Sequence, residues 1–306
     1  MTLFSKNRML IYSVAAKKLL DHLDQMIDPS SGFPDEPNWG YAFSLLAGRT
    51  AEKKIFSDLC DLSAKHLRLQ NKSDKDYAWE FVFYALLQPE CQTDSRSFLL
   101  KYGYREKGTR MFNWYLLRHL NRRLFGRAGI WNYITLRLAL WLYQDSSGMF
   151  LDEFKTRSLQ YHSFCLFILA EIIEIHPDYA WLKRRFLDGI SFSLDYILTD
   201  GSALFIGRGQ DQIFGYGSLI YALEYCNKKV KVLPDEVLNR LANHVLSFQR
   251  PDGSFPLVLR RREPEAANIS FHGGRTPGWY GYNNLYDYQP FLAYCLLKAK
   301  NLNEGP

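Results

Sequence analysis

The segment Asp145–Ile175, DSSGMFLDEFKTRSLQYHSFCLFILAEIIEI, joins a polar turn to a strongly apolar helix. Its first four residues predict a tight turn, and the run from Phe164 to Ile173 predicts a buried helix. Three side chains with useful chemistry lie between them: Arg157, Tyr161 and His162. We interpret the segment as a loop that delivers these three side chains to the mouth of a buried helix.

The same turn-and-helix arrangement recurs along the chain. Six helix pairs follow one another at a spacing of roughly 40 to 55 residues, which is the signature of stacked structural repeats. The first members are predicted at 5–27, 51–70, 95–102, 130–144, 178–198 and 234–249. The second members are predicted at 38–48, 76–88, 112–124, 157–175, 212–226 and 282–299. The second members are the more apolar, as expected for inner helices surrounded by amphipathic outer ones.

These features predict an all-α fold, an (α/α)6 toroid of six helical hairpins, in one domain spanning residues 1–306. An open solenoid is the alternative, but no polar capping repeat is visible at either end. The composition, with 47% hydrophobic residues among 306, allows a large core. The five cysteines fall mostly within apolar helical patterns, which predicts reduced, buried thiols and favours a cytoplasmic location.

Charge and hydropathy limit the kinds of partner that the sequence predicts. No apolar run reaches the roughly 20 residues that span a bilayer, so no membrane span is predicted. The net charge of +6 favours anionic ligands, but no nucleic-acid motif accompanies it. The basic clusters at 122–127, 183–185 and 260–262 are equally typical of solvated helix faces.

Two segments resemble known enzymes. RSLQYHSFCL, after an acidic turn, resembles the segment of heparinase II/III-like and alginate-lyase toroids in which Arg, Tyr and His precede an inner helix. DGSALFIGRGQDQIFGYG is similar to the Asp-Gly turn and glycine-rich loop of uronate-lyase toroids. The resemblance implies a polysaccharide lyase acting on an acidic, uronate-containing poly- or oligosaccharide.

The chain also departs from these families. Asn113 is followed by Trp114 where such lyases carry an Asn-His pair, and Arg208 stands where the chondroitin-lyase loop has His. The resemblance covers the toroid alone, because the C-terminal β-sandwich of many heparinase-like enzymes has no counterpart here.

Cleavage of a uronate by β-elimination requires a group that stabilises the carboxylate and a base beside it. Asn113, Arg157 and Arg208 suit the first task. Tyr161 suits the second, because a nearby cation stabilises its phenolate, and a spacing of four residues puts it on one helix face with Arg157. His162 points elsewhere and would assist. A core role for Tyr161 and a structural role for His162 are the alternatives.

A second candidate site is the loop GRGQDQ at 207–212, which closes with Tyr216. Its glycines would let the backbone approach a ligand, and its arginine offers a planar fork for a carboxylate. Gln210, Asp211 and Tyr216 are therefore candidate binding residues together with Arg208. A purely structural loop is the alternative.

Aromatic side chains supply further binding candidates. Trp39, Trp79, Trp114 and Trp279 would fall at the entrances of inner helices, where they could stack on sugar rings or simply pack the rim. The long segment between Phe255 and Asn283 is typical of a binding loop. It contributes three more candidates: His272, Arg275 and Tyr282.

Other chemistries stay open. A toroid glycoside hydrolase would use two carboxylates, with Asp76, Glu80 and Asp211 the best placed. The remaining acids at the predicted mouth are Asp35, Glu36, Asp152 and Glu153. A uronate C5-epimerase and a non-catalytic glycan-binding protein of surface-polysaccharide synthesis are further alternatives. No cofactor and no metal are expected, because the cysteines are scattered and the motifs of lanthionine and terpene cyclases are missing.

Overall fold

The computed structural model describes residues 3–52, 54–70, 78–91, 110–259 and 284–302. Eleven α-helices lie in these ranges, together with one 3₁₀ turn at Pro89–Cys91 and one π-helical turn at Cys226–Val230. The helices are α1 (Leu3–Met26), α2 (Gly40–Glu52), α3 (Ser57–Leu69), α4 (Ala78–Leu87), α5 (Phe112–Leu124), α6 (Ile130–Tyr143), α7 (Leu159–Ile175), α8 (Ala180–Asp195), α9 (Ile213–Tyr225), α10 (Asp235–Leu246) and α11 (Leu285–Asn301).

Six of these helices form a closed inner ring. In the order α2, α4, α5, α7, α9 and α11, each contacts the next, and α11 returns to contact α2. The helices α1, α3, α6, α8 and α10 pack outside the ring. The predicted all-α (α/α) toroid is therefore confirmed, and the open solenoid is not observed. The first helix of the third pair, predicted at 95–102, lies outside the described residues.

Burial separates the two layers as the sequence indicates. Every residue of α7 from Leu159 to Ile173 is buried, and so is all of α9. In the outer helix α10 only Leu238, Leu241, Ala242 and Val245 are buried, a spacing that marks one helical face. The inner helices thus form the core, and the outer ones shield it.

A repeated aspartate turn ends four of the outer helices. In each turn the carboxylate accepts hydrogen bonds from the backbone N–H and the hydroxyl of the serine two residues later, with N–O distances of 2.8 to 3.0 Å. The pairs are Asp28 with Ser30, Asp145 with Ser147, Asp200 with Ser202, and Asp252 with Ser254. The serine bonds hold the pKa of Asp28 and Asp200 below the ordinary value.

The last of these turns rests on the first helix and helps to close the ring. Gly253 has a φ of +87°, and a Cβ there would lie 2.2 Å from the carbonyl oxygen of Lys18 in α1. Gln249 bridges the same two segments, because its Nε2 donates to the carbonyls of Ala15 and Gly253, both at 2.9 Å. Only glycine fits this left-handed, closely packed position.

A buried polar cluster joins the inner helices away from their first turns. The Glu171 carboxylate of α7 accepts hydrogen bonds from the hydroxyls of Tyr84 (2.8 Å) and Tyr221, and pairs with Lys298 Nζ at 2.9 Å. The Tyr294 hydroxyl lies 3.1 Å from that of Tyr84. Burial raises the pKa of all three tyrosines, so they stay protonated and hold four inner helices together.

Two further expectations concern burial and membrane spans. All five cysteines are buried and unbridged, as the helical pattern predicts. Among the described helices none combines the length and the apolar character needed to cross a bilayer.

Candidate functional site

A cavity of about 330 Å³ lies at the end of the ring where the inner helices begin. All six inner helices contribute to its wall from their first turns or from the residue just before them. The lining residues are Asn38, Trp39, Ala78, Phe81, Met111, Asn113, Trp114, Tyr161, Arg208, Phe214 and Tyr288. Five of these are residues that the sequence analysis selected: Trp39, Asn113, Trp114, Tyr161 and Arg208. Segments far apart in the chain thus meet in one cup.

The helix starts give the cavity a positive potential. Each helix carries a partial positive charge at its N-terminus, and the six inner helices all direct this end toward the cavity. One start is already neutralised: the buried Asp287 of α11 accepts hydrogen bonds from the backbone N–H groups of Trp39 and Gly40, both at 2.7 Å. This contact also ties α11 to α2. The remaining helix starts favour an anionic ligand.

Arg208 is the cation of the cavity wall. Its guanidinium carbon lies 4.4 Å from the centroid of the Tyr161 ring, and its Nη2 lies 2.5 Å from Oδ2 of Asp152. Asp152 is almost fully buried, and that burial raises its pKa, although the positive charge of Arg208 opposes the rise. The three side chains form one stacked and ion-paired unit, in which Tyr161 and Arg208 line the cavity and Asp152 lies behind them.

The glycines beside Arg208 fix its position. A Cβ on Gly207 would lie 2.7 Å from the carbonyl oxygen of Arg157, and one on Gly209 would lie 2.2 Å from Nε2 of Gln160. Ser158 Oγ donates to the Arg208 carbonyl at 3.0 Å. The glycines therefore let the loop approach the start of α7. That they also bring the backbone close to a ligand stays a prediction.

Asn113 is the unusual polar group of the cavity. It is only 1% exposed, yet neither its Oδ1 nor its Nδ2 has a hydrogen-bond partner in the described part of the chain. A buried amide without partners destabilises the folded state unless something else satisfies it. Because Asn113 lines the cavity, a bound molecule can supply the missing donor and acceptor.

Aromatic rings make up most of the remaining wall. Trp39 stacks on Phe81 with centroids 4.4 Å apart, and Phe214 stacks on Tyr288 at 5.2 Å. Trp114 packs edge-on against Phe81 at 5.3 Å. Flat apolar faces beside a few polar groups suit a ligand with apolar ring faces and hydroxylated edges.

His162 and Tyr216 lie away from the cavity, in equivalent structural roles. The backbone N–H of Phe150 donates to His162 Nδ1 at 2.9 Å, and Nε2 lies 3.2 Å from the Gly189 carbonyl. Burial lowers the pKa of His162 to about 3, so the ring is neutral. The Tyr216 hydroxyl likewise accepts from the Ala203 N–H at 3.2 Å. Both side chains hold the segment after an aspartate turn, and the assisting role expected for His162 has no support in its contacts.

Arg157 is also outside the cavity. α7 begins at Leu159, so Arg157 precedes the helix and the argument that it shares a helical face with Tyr161 is wrong. Its side chain is 72% exposed and pairs with Asp145 at 3.4 Å. The exposed side chain of Arg157 therefore contacts the turn at Asp145 and does not line the cavity.

Three more of the selected binding residues do not reach the cavity wall. Trp79 is buried and packs against Phe83 at 6.3 Å. Gln210 is exposed, and Asp211 has a φ of +54° at the end of the loop. The candidates His272, Arg275, Trp279 and Tyr282 lie outside the described residues.

The acids proposed for a hydrolase are placed differently from expectation. Glu80 is buried in a pair with Arg118 Nε at 2.7 Å and also accepts from Asn121 Nδ2 at 3.0 Å. It holds α4 to α5 and does not line the cavity. Asp76 lies outside the described residues. The carboxylate nearest to the cavity cation is Asp152, which the sequence analysis named but did not favour.

The structure adds residues that sequence reasoning did not select. Phe81, Phe214 and Tyr288 line the cavity, and Asp287 caps α2. The available signal was positional: each follows the first residue of an inner helix by one to three positions, a range that also includes Trp114.

No family model matches the chain, and no curated protein matches it. Solved structures do. A glycosyl hydrolase family 88 protein from Bacteroides vulgatus shares 10% identity over 95% of this chain and 99% of its own, with a TM-score of 0.61. A polysaccharide lyase shares 11% identity over 95% of this chain and 98% of its own, with a TM-score of 0.63. A type II terpene cyclase from Scytonema shares 13% identity over 97% and 99%, with a TM-score of 0.59.

The shared architecture is the (α/α) toroid. The hydrolase and the lyase among these structural neighbours are toroid enzymes of carbohydrate chemistry, and they do not single out the heparinase group. The cyclase has the same fold, so the fold alone does not choose a reaction. The choice must come from the residues of the cavity.

Proposed function

We propose that this protein is a carbohydrate-active enzyme that cleaves an acidic, uronate-containing oligo- or polysaccharide by β-elimination. The observation that carries the proposal is the meeting of three side chains in one cavity. Arg208 stacks on Tyr161 at 4.4 Å, and the buried, unpartnered amide of Asn113 lines the same wall. Cation, phenol and amide are the groups that this reaction requires.

The carboxylate of the uronate is the part of the substrate that must be stabilised. Removal of the proton at C5 spreads negative charge onto that carboxylate, and fixed donors lower the energy of this state. Asn113 Nδ2 offers a donor, Arg208 offers positive charge, and the starts of the inner helices add to both. These groups are in place before the substrate arrives, so little reorganisation is needed.

Tyr161 is positioned to move the proton. As a phenolate stabilised by the Arg208 cation above its ring, it would take the proton from C5. The electron pair of that bond forms the C4–C5 double bond while the bond from C4 to the glycosidic oxygen breaks. The tyrosine then returns its proton to the leaving oxygen. One residue thus serves as base and acid.

The aromatic wall supports a sugar substrate. Trp39 and Trp114 line the cavity, and indole rings pack well against the C–H faces of pyranose rings. Asn38 and Asn113 also line the cavity, and their amides would form hydrogen bonds with the hydroxyl groups of the sugar.

Incubation with a panel of uronate polymers and oligosaccharides tests the proposal. We expect ultraviolet absorbance from the new C4–C5 double bond to rise with time, and Tyr161→Phe to abolish the rise without unfolding the protein. New reducing ends without this absorbance would indicate hydrolysis instead. Solvent deuterium at C5 without cleavage would indicate epimerisation, and binding without turnover would indicate a glycan-binding protein.

Asp152 supports a second candidate, a glycoside hydrolase. Its burial raises its pKa, which is the property of a carboxyl group that donates a proton, and it pairs with a residue of the cavity wall. In this case Asp152→Asn would remove the formation of reducing ends, whereas Tyr161→Phe would retain it. The two variants therefore separate the two reactions.

A further inference from the structure

The outward face of α6 is apolar, unlike that of a typical outer helix. Two tryptophans dominate it: Trp131 is 74% exposed and Trp141 is 67% exposed. Four aliphatic side chains on the same helix are also exposed: Ile130, Ile134, Leu138 and Leu142. Residues Leu136, Ala139 and Leu140 face the core. A helix that is apolar on both sides is expected to be covered on both sides, so this outward face, named the α6 face below, is an interaction surface.

The charge along α6 and in the turn before it has one sign. Residues 122–144 contain four arginines and no aspartate, glutamate or lysine. Arg127 and Arg137 are both exposed, and within the described ranges neither forms an ion pair with a carboxylate. Arg137 lies 5.4 Å from the ring of Trp181 in α8, and that helix adds the cluster Lys183, Arg184 and Arg185. The partner that complements this surface is apolar and anionic.

We propose that the α6 face docks the protein onto an anionic lipid bilayer, with the helix lying in the headgroup region. Tryptophan and arginine are the side chains that suit this region: indole rings prefer the interface, and guanidinium groups bind lipid phosphates while their stems cover apolar surface. Trp131 and Trp141 are ten positions apart, about 15 Å along the helix, so they anchor both ends. The inference does not rest on the proposed function.

A second copy of the chain fits this surface less well. A two-fold dimer places the same patch against itself, which would bring the arginines of both copies together without a carboxylate between them. A bilayer with anionic lipids supplies both missing elements, an apolar phase for the tryptophans and negative charge for the arginines. The described helices contain no membrane-crossing candidate, so docking occurs at the surface.

Co-sedimentation with vesicles tests the docking. We expect the full-length protein to bind vesicles of phosphatidylcholine with phosphatidylglycerol and not vesicles of phosphatidylcholine alone, with binding reduced by salt. The double variant Trp131→Ser with Trp141→Ser should lower the partition coefficient about tenfold or more. Arg127→Gln and Arg137→Gln should each lower it about fivefold.

The matched control is Leu10→Ser with Val14→Ser, two exposed apolar positions on α1, which should leave vesicle binding unchanged. Circular dichroism of all variants checks that the fold is retained, which is expected because every substituted side chain is exposed. Absence of binding to anionic vesicles would overturn the proposal. So would equal binding by the tryptophan variant, or a dimer in sedimentation that the tryptophan variant abolishes.

Discussion

The guanidinium of Arg208 lies between the ring of Tyr161, 4.4 Å from its centroid, and the buried carboxylate of Asp152, 2.5 Å away. Asp152 and Tyr161 lie in the segment Asp145–Ile175, whereas Arg208 lies 56 residues after Asp152, so no local pattern predicts their contact. The arrangement satisfies the carboxylate on one side and places the cation against a phenol on the other. This arrangement supplies the cation and the phenol that the proposed elimination requires.

Arg208→Lys should separate charge from geometry. Lysine keeps the positive charge but loses the planar group that stacks on Tyr161, so we expect kcat/KM to fall by about 10²-fold while the protein still folds. Arg157→Lys is the matched control, because the exposed side chain of Arg157 pairs with Asp145 in the turn before α7. Equal losses in both variants, measured by the absorbance assay, would contradict the assignment of Arg208 to the cavity.

Asn113→Leu should stabilise the protein and inactivate it. Replacing an unsatisfied buried amide by an apolar side chain of similar volume is expected to raise the free energy of unfolding by about 1 to 2 kcal/mol. Activity should fall by about 10²-fold, since a donor to the substrate is lost. Asn121→Leu on the same helix is the control: it removes a hydrogen bond to Glu80 and should destabilise. Urea denaturation measures the change in stability, and the absorbance assay measures the change in activity. If Asn113→Leu lowered the free energy of unfolding, the interpretation of Asn113 as an unsatisfied buried amide would be wrong.

Glu80→Ala should unfold the protein more readily and leave the chemistry intact. The substitution strands the buried Arg118 without its carboxylate, which costs about 3 to 5 kcal/mol. Replacing both partners by methionine should recover part of this loss. If Glu80→Gln instead kept full stability and lost activity, Glu80 would have the catalytic role expected of a hydrolase acid.

Gly253→Ala tests the closure of the ring. The substitution adds a Cβ 2.2 Å from the Lys18 carbonyl oxygen, at a position with left-handed backbone conformation. Gly126 is the control, because it has a similar conformation, φ +73°, but a Cβ there would have no heavy atom within 4 Å. Gly126→Ala should cost about 1 to 2 kcal/mol, the price of the left-handed conformation alone. Gly253→Ala should cost clearly more in urea denaturation. Similar losses in the two variants would mean that the contact with α1 contributes nothing.

Acid should destabilise the protein through its buried histidines. Burial lowers the pKa of His162 and of His119 to about 3, while a histidine in the unfolded chain titrates near its ordinary pKa of 6.5. Above pH 6.5 both states are neutral and the full stability is present. Between pH 6.5 and about 3 only the unfolded state takes up the protons, so each histidine removes about 1.4 kcal/mol of stability per pH unit.

His162→Gln isolates one of these two contributions. Its amide can accept from Phe150 N–H and donate to the Gly189 carbonyl without titrating, so its stability should fall less steeply with acid than that of the wild type. Urea midpoints at several pH values between 4 and 7.5 provide the measurement, as an order-of-magnitude test of linkage. An unchanged slope would show that His162 titrates in the folded state.

The ring of helices could be predicted from the sequence because its helices and turns follow from local residue patterns. The stretch from Phe164 to Ile173 in α7 is apolar except for Glu171 and predicts an inner helix, and the one-sided spacing of Leu238, Leu241 and Val245 predicts an outer one. Aspartate turns such as Asp145 with Ser147 act within a few residues, so they too are visible in the chain.

The cavity was predicted in part, since the helix starts point to one end once the ring is closed. Trp39, Asn113, Trp114, Tyr161 and Arg208 were selected for their side-chain chemistry near those starts, and the structure brings all five together. The same chemistry selected Arg157, which lies two positions before the helix and therefore outside the cup. A shift of one or two residues at a helix start decides which way a side chain points.

What the sequence alone determined is the repeating helical ring and the group of residues near its mouth, because turns, helix periodicity and burial are set by neighbours along the chain. Tertiary structure alone decided that Asp152 pairs with Arg208, that His162 accepts a hydrogen bond from the Phe150 N–H, and that Asn113 has no hydrogen-bond partner among the described residues. Each of these depends on distances that local patterns leave open: Asp152 and Arg208 are 56 residues apart, and Phe150 and His162 are 12 residues apart, one before α7 and one within it. Such distances are fixed by the packing of the whole ring, and no single segment encodes them.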